Sequence, residues 1–241
     1  MATSVIYKLL YLADSARLLV LRLSHGARGR IGGILGDNSD TGTAIRRALG
    51  SKTLDHLAVI LSKEEVAVAD LVRVAVWSRA AGTAHVSFHD PWGRLKARRA
   101  ALDQALQAAG LDPCRTAANA TAEPHTAAGG RLPCVTLLDM ADGKAAIARA
   151  ARGLCERALV GELTSAGVSM ELLDGCIVRG VGVPAPELAV CCGDVISLCG
   201  FLPWHASFTT FLLLPSLRNL SLCGFVSLLD KFSQCEQRGG A

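Results

Sequence analysis

Three short apolar runs, each followed by a segment with helical periodicity, constrain this chain more than any other feature in it. The first run is HLAVIL at 56–61. The segment after it, EEVAVADLVRVAVWSRAAG, places two acidic residues in the first turn of an expected helix and Gly82 at its stop. The second pair is AHVSFHD, ended by Pro91, with GRLKARRAALDQALQAAG, closed by Gly110; the third is CVTLLD with DGKAAIARAARGLCERAL. Runs this short and this continuously apolar suit strands buried on both faces. Strands that alternate with helices pair in parallel through right-handed crossovers. The expected fold is therefore α/β, a single domain whose central, mostly parallel β-sheet is flanked by helices. Beyond the third unit the chain reads as a helix near SMELLDGCI, a strand at ELAVCC and a final helix at about 221 to 236.

The stretch before the first run behaves differently. In VIYKLLYLADSARLLVLRL, Val5, Leu9, Leu12, Ala16, Leu19, Val20 and Leu23 fall on one arc of a helical wheel, with the charged residues opposite. Lys8, Asp14, Arg17 and Arg22 are too many charges for a spanning helix and are wrongly placed for a signal peptide. Residues 1–25 are expected to form an amphipathic helix that lies on the protein's own sheet, on a partner or on a membrane surface, and the basic polar face favours the membrane. Residues 26–52 are rich in Gly, Ser and Asp and read as a linker; they lack the Gly-Lys-Ser/Thr ending of a phosphate-binding loop. The folded domain is assigned to 53–241, with the Ala/Thr/Gly/Pro-rich stretch 112–131 as a low-complexity surface loop.

Composition narrows the function classes. With 51% hydrophobic residues the chain can fill a core, and a net charge of +4 without a Lys/Arg stripe or interleaved aromatics argues against nucleic acid as a partner. The nine cysteines are scattered with no CxxC pair, which fits reduced thiols acting as small apolar residues. The sequon Asn119-Ala120-Thr121 reads as chance.

Ligands of open α/β sheets bind beyond the carboxyl ends of the strands. Those ends read LSKEE, HDPWG, DMADG and CCGDVIS, and none unites a nucleophile, a base and an orienting group, so no catalytic residue is assigned. His89-Asp90 is half of a metal site or, as favoured, a turn with a capping Asp; Asp142 is expected to start a helix. At the other end of the chain, Arg238-Gly239-Gly240 is either a frayed end or an anion-binding tail, since Arg donates to phosphate oxygens and Gly lets backbone N–H groups approach them.

In order, HLAVILSKEE, VWSRAAGTAHVSFHDPWGRLK, DGKAAIARAARGLCE, PELAVCCGDVISLCGFLPWH and CEQRGGA resemble the cis-prenyltransferase family, most closely its Nogo-B receptor branch, the accessory subunits of dehydrodolichyl diphosphate synthase. The resemblance runs from about His56 to the C-terminus and implies the undecaprenyl diphosphate synthase-like fold. Departures from the catalytic members matter as much. Leu61-Ser62-Lys63-Glu64-Glu65 stands where they carry Asp-Gly-Asn-Gly-Arg, Ala189 to Ser197 holds no diphosphate-binding Arg, and Thr210 replaces a metal-binding Glu. The resemblance thus implies a non-catalytic subunit with no metal ligands of its own, Mg²⁺ being bound mainly in a catalytic partner. That pair would condense isopentenyl diphosphate with farnesyl diphosphate into long-chain polyprenyl diphosphate for dolichol synthesis and protein glycosylation, at the cytosolic face of the endoplasmic reticulum membrane. Arg238, Gly239 and Gly240 would cross the interface to bind isopentenyl diphosphate in the partner's site, with Gly239 in place of a bulkier residue. Trp204, His205 and Phe208 would lie in the interface; their other reading is core packing. The alternative function is a catalytically dead scaffold or receptor protein with the same fold, and a third is a self-sufficient homodimeric synthase.

Overall fold

The structure, a computed structural model, describes residues 38–62, 64–115, 126–127, 130–204, 206 and 209–235. Among the described residues seven strands occur in chain order: β1 His56–Leu61, β2 His85–His89, β3 Thr126–Ala127, β4 Gly130–Arg131, β5 Cys134–Leu138, β6 Leu188–Cys192 and β7 Thr210–Leu214. β3 and β4 form a small antiparallel hairpin. The other five make one sheet in the order β5-β2-β1-β6-β7, with every neighbouring pair parallel. His56 pairs with His85 and Leu57 with Leu188, so β1 sits at the centre between a strand that follows it closely and one far along the chain.

Helices α1 Asn38–Leu49, α2 Val68–Ala81, α3 Arg94–Ala97, α4 Arg99–Ala108, α5 Lys144–Leu159, α6 Met170–Val181 and α7 Leu222–Gln234 cover the sheet. Alternation along β1 decides which face each side chain meets. Leu57, Val59 and Leu61 join a core with Ile45 and Leu49 of α1, Leu71 and Val74 of α2, Leu102 and Leu106 of α4, and Phe225 and Leu229 of α7. Ala58 and Ile60 face the other way, into a smaller core with Ala146 of α5, Ile177 and Val181 of α6, and Phe201 and Leu202. β1, β5 and β6 are buried along their whole length, as a parallel sheet covered on both faces requires. The two outer strands differ. Arg115 forms an isolated parallel bridge beside Thr136 of β5, whereas every residue of β7 is half-buried.

Several expectations need correction. Residues 38–49, read as part of a linker, form α1: Asp40 sits in its first turn and Arg46 and Arg47 in its last, which suits the helix dipole, and Ile45 is fully buried. Tertiary burial of Ile45, Ala48 and Leu49 outweighs the Gly/Ser/Asp-rich composition that suggested a linker. Glu64 and Glu65 precede α2 and do not open it. The single helix expected across 94–110 breaks at Arg98 into α3 and α4. β7 forms from TFLLL, where no strand was anticipated. The stretch 1–25, and most of 112–131, lie outside the described residues. Among the described residues no helix is long and apolar enough to cross a membrane.

Ile45→Ala tests the status of α1. A docked helix loses about 2–4 kcal/mol of unfolding free energy in a urea titration, whereas a linker residue would cost almost nothing.

Candidate functional site

All five parallel strands end at one edge of the sheet, and the loops leaving them build the candidate site there. Past β1 the chain offers Glu64, whose carboxylate accepts the Leu217 N–H at 2.9 Å and the Ser216 hydroxyl. Arg218 stands 3.9 Å from the same carboxylate and donates to the Glu65 carbonyl at 2.9 Å. Two clefts flank this point. One, of about 280 Å³, is lined by Leu61, Glu64, Asp90, Arg94 and Arg98 among others; the second, of about 580 Å³, includes Ser62, Glu65, Cys192, Asp194 and Arg218. Each cleft carries more carboxylates than guanidinium groups, and Arg94 and Arg218 lie beside Asp90 and Glu64.

Past β2, Asp90 is buried and accepts the N–H groups of Leu95 at 3.0 Å and Trp92 at 3.2 Å. This is the capping turn favoured by the sequence reading of His89-Asp90. Past β5, the carboxylate of Asp139 accepts the Ala141 N–H at 2.8 Å while Asp142 accepts the Asp139 N–H at 2.9 Å, a reciprocal cap on the 3₁₀ turn Met140–Asp142. Asp142 therefore lies just before α5, in its own turn and not as the helix start. Lys96 of α3 reaches both carboxylates, at 2.9 Å and 2.6 Å. Burial pulls the Lys96 pKa down, but the hydrogen bonds its ammonium donates to Asp142 and Asp139 outweigh it and raise it. For Asp139 burial acts upward and the Lys96 hydrogen bond overrides it, leaving the carboxyl below its usual range.

The loop after β6 crosses this edge. Gly193 lies beside Ser62 at the end of β1, the Cys199 carbonyl accepts from His89 Nε2 at 2.9 Å at the end of β2, and Gly200 packs on Met140 and Gly143 after β5. Because a carbonyl only accepts, His89 carries its proton on Nε2. The His89 ring also meets Phe201 edge-on, with centroids 5.5 Å apart. Burial lowers the His89 pKa against the opposing pull of the Cys199 carbonyl, Asp142, Asp139 and Asp90. The turn over His89 uses left-handed backbone at Cys199, φ 47°, and at Gly200, φ 80°. Gly143 permits the approach: a methyl group there would overlap the Gly200 carbonyl oxygen.

Among the residues singled out from sequence, Trp204 lies on this same loop, packs against the smaller core and donates from Nε1 to Asp174 of α6 at 3.0 Å. Thr210 opens β7 and donates its N–H to the Glu187 carbonyl at 2.9 Å. His205, Phe208, Arg238, Gly239 and Gly240 lie outside the described residues. Among the described residues no three His, Cys, Asp or Glu side chains gather as a metal site. Sequence reasoning missed Lys96; its partner Asp142 is 46 residues away, and no local pattern reports such a contact.

No family model matches the chain. It is 30% identical over 195 residues to the human dehydrodolichyl diphosphate synthase complex subunit NUS1, covering 77% of this chain and 66% of that protein. The mouse counterpart is 31% identical over 195 residues, covering 77% and 65%. The fission yeast Schizosaccharomyces pombe subunit is 24% identical over 199 residues, covering 77% and 76%. The chain thus spans about two thirds of the length of the mammalian relatives. Among solved structures, lavandulyl diphosphate synthase from Lavandula x intermedia superposes with a TM-score of 0.56 at 14% identity, over 77% of this chain and 98% of the other. A probable undecaprenyl diphosphate synthase from Campylobacter jejuni gives 0.50 at 15%, over 78% and 98%. The fold is that of the cis-prenyltransferases, as expected.

Two variants probe this edge. Stabilisation by the Lys96–Asp139 pair is complete above the ordinary carboxylate pKa, about 3.9, and is lost as pH falls through the lowered folded value. With Lys96 partly exposed, Lys96→Met costs about 1 kcal/mol near neutral pH, and the deficit in urea unfolding narrows as the titration is repeated toward about pH 3. Gly143→Ala forces the Gly200 carbonyl away, costs about 1–3 kcal/mol, and accelerates hydrogen exchange across 198–202; unchanged exchange there would contradict the close packing.

Proposed function

The chain belongs to the Nogo-B receptor branch of the cis-prenyltransferase family, and from that premise we propose that it is the non-catalytic accessory subunit of a heteromeric dehydrodolichyl diphosphate synthase. The reaction is condensation of isopentenyl diphosphate with farnesyl diphosphate to a long-chain polyprenyl diphosphate, the dolichol precursor for protein glycosylation, and the active site belongs to a catalytic partner.

The observation that carries this reading is the state of Glu64. A diphosphate carries several negative charges and needs convergent cations and N–H donors. At the end of β1, the Leu217 N–H and the Ser216 hydroxyl are instead satisfied by a carboxylate of this chain, and Arg218 lies beside it. A substrate anion there would face Glu64 and Glu65 at short range in both clefts. The carboxylates past β2 and β5 are likewise committed, Asp90 to backbone caps and Asp139 and Asp142 to Lys96. These residues do not fit a magnesium site, so Mg²⁺, which neutralises the departing diphosphate, is assigned to the partner.

What this chain contributes lies at its edges. β7 is a half-buried apolar edge strand, and the Trp204 loop precedes it; together they suit a protein partner better than water. Arg238, Gly239 and Gly240 are assigned to isopentenyl diphosphate in the partner's site, with Trp204, His205 and Phe208 at the seam. The amphipathic sequence of residues 1–25 is assigned to the cytosolic face of the endoplasmic reticulum membrane, where a lipid product would pass directly into the bilayer.

The test is incorporation of labelled isopentenyl diphosphate by this protein, by the catalytic subunit and by the co-purified pair. Activity is expected only in the pair, and Arg238→Ala should lower kcat/KM on the order of 10- to 100-fold, the worth of a charge-assisted hydrogen bond, while the pair stays assembled. Equal activity with and without this protein would make it a scaffold, and extension of farnesyl diphosphate by this protein alone would make it a synthase.

A further inference from the structure

We propose that Cys191 and Cys199 form a reversible thiol–disulfide pair, and that closing it pins the loop after β6 to the end of that strand. The inference is independent of the function proposed above.

Register places the two residues on one face of the sheet. Ile60 pairs with Cys191 on one side and with His89 on the other, and side chains at paired positions of a sheet point the same way. Cys191, Ile60 and His89 therefore form a row across β6, β1 and β2. The loop after β6 returns over this row, because the Cys199 carbonyl accepts from His89 Nε2 at 2.9 Å. Both cysteines are free thiols; Cys191 is buried in the smaller core with Ile60, and Cys199 packs half-buried against that core. A single residue, Ser197, stands between the two sulfurs. Its hydroxyl oxygen accepts from Cys199 Sγ at 3.4 Å, and its backbone faces the Cys191 thiol. Cys192 cannot take the place of Cys191, since alternation along β6 turns it into the larger core on the opposite face.

The two thiols differ as a two-step exchange requires. Burial pushes the Cys191 thiol up to about 11, with the Ser197 backbone opposing and Cys199 adding to the rise, so Cys191 stays protonated near neutral pH. Cys199 is the accessible partner, on a loop whose residues 194–197 are exposed. Its thiolate attacks one sulfur of a small disulfide such as oxidised glutathione. A Cys199–glutathione bond forms, the glutathione disulfide breaks, and one glutathione leaves with the electron pair and takes up a proton. Cys191 then gives its proton to solvent and attacks the Cys199 sulfur, and the second glutathione leaves in the same way. The two cysteines lose two electrons and two protons, and oxidised glutathione becomes two molecules of the reduced form. A disulfide holds its two Cα atoms within about 7 Å. The bond thus closes residues 192–198 into a ring and ties Cys199, with the buried Phe201 and Leu202 behind it, to β6.

The test compares the full-length wild-type chain with Cys199→Ser, Cys191→Ala and Cys192→Ala. Each is held in oxidised glutathione, quenched with N-ethylmaleimide, cleaved before Asp194 and read by mass spectrometry. That cut separates Cys199 from Cys191, so a disulfide between them appears as two joined peptides. The joined species is expected in wild type and Cys192→Ala, is reversed by dithiothreitol, and is absent from Cys199→Ser. In Cys191→Ala, Cys199 is expected to keep its glutathione. Hydrogen exchange across 194–199 should slow about tenfold in the joined protein. A wild-type chain in which Cys199 stays glutathionylated or unmodified overturns the proposal, as does a joined species that survives Cys191→Ala. Unchanged exchange in the joined protein overturns the pinning of the loop. Should Cys191→Ala fail to fold, Cys191→Val carries the same comparison.

Discussion

A sheet whose strands all run one way must return every crossover to the same side, and so it gathers five chain exits along one edge. Everything specific to this protein follows from what those exits carry. The scaffold is satisfied by apolar runs in β1, β5 and β6, buried throughout, and it is indifferent to the chemistry of the loops. In a cis-prenyltransferase fold that edge is also where an anionic substrate would have to bind. Here the exits bring Glu64, Asp90, Asp139 and Asp142, and each carboxylate is answered by the protein's own donors. A buried or half-buried carboxylate that lost its donors to a substrate would be left uncompensated next to a second anion, an arrangement with no favourable term.

The loop after β6 deepens that commitment. By crossing from β6 to the ends of β1, β2 and β5, it converts an open edge into a packed one, and two contacts govern its path. His89 supplies a buried donor to the Cys199 carbonyl, while Gly143 allows the Gly200 carbonyl to approach closer than a side chain would permit. The left-handed turn at Cys199–Gly200 then starts the segment running through Phe201 and Leu202, both buried, to Trp204 and on to β7. Packing at the carboxyl edge of the sheet and the course of the chain into the outer strand β7 are thus linked by one stretch of chain.

How much of this could be read in advance depended on the range of the interaction. The βα units were legible because burial on both faces leaves an unbroken apolar signature, as in HLAVIL, and Gly82 marked a left-handed helix end that it does occupy. The capping role of Asp90 was legible because its partners are within five residues. β7 was not, because TFLLL follows β6 with no helical segment between to mark it as a new strand unit, and only pairing with β6 defines it. Nor was α1, whose helical state depends on Ile45 and Leu49 meeting a core assembled from distant elements. Glu64 looked like a helix-opening acid, since nothing local reveals that Leu217 lies beside it. The family pattern located the missing phosphate-binding groups, but the self-satisfied state of their replacements required coordinates.

The same distinction of range explains why the end of α7 needs help from elsewhere. The apolar face of α7 stops at Phe232, and beyond it the side chains of Gln234 and Cys235 bond locally, to Asp230 and Lys231. Local bonds at a helix end open with the turn that carries them, so they do not resist fraying. A bond from Lys52 does resist it, because opening the last turn would also withdraw an ammonium from two carbonyls and a ring that are fixed against a different part of the fold.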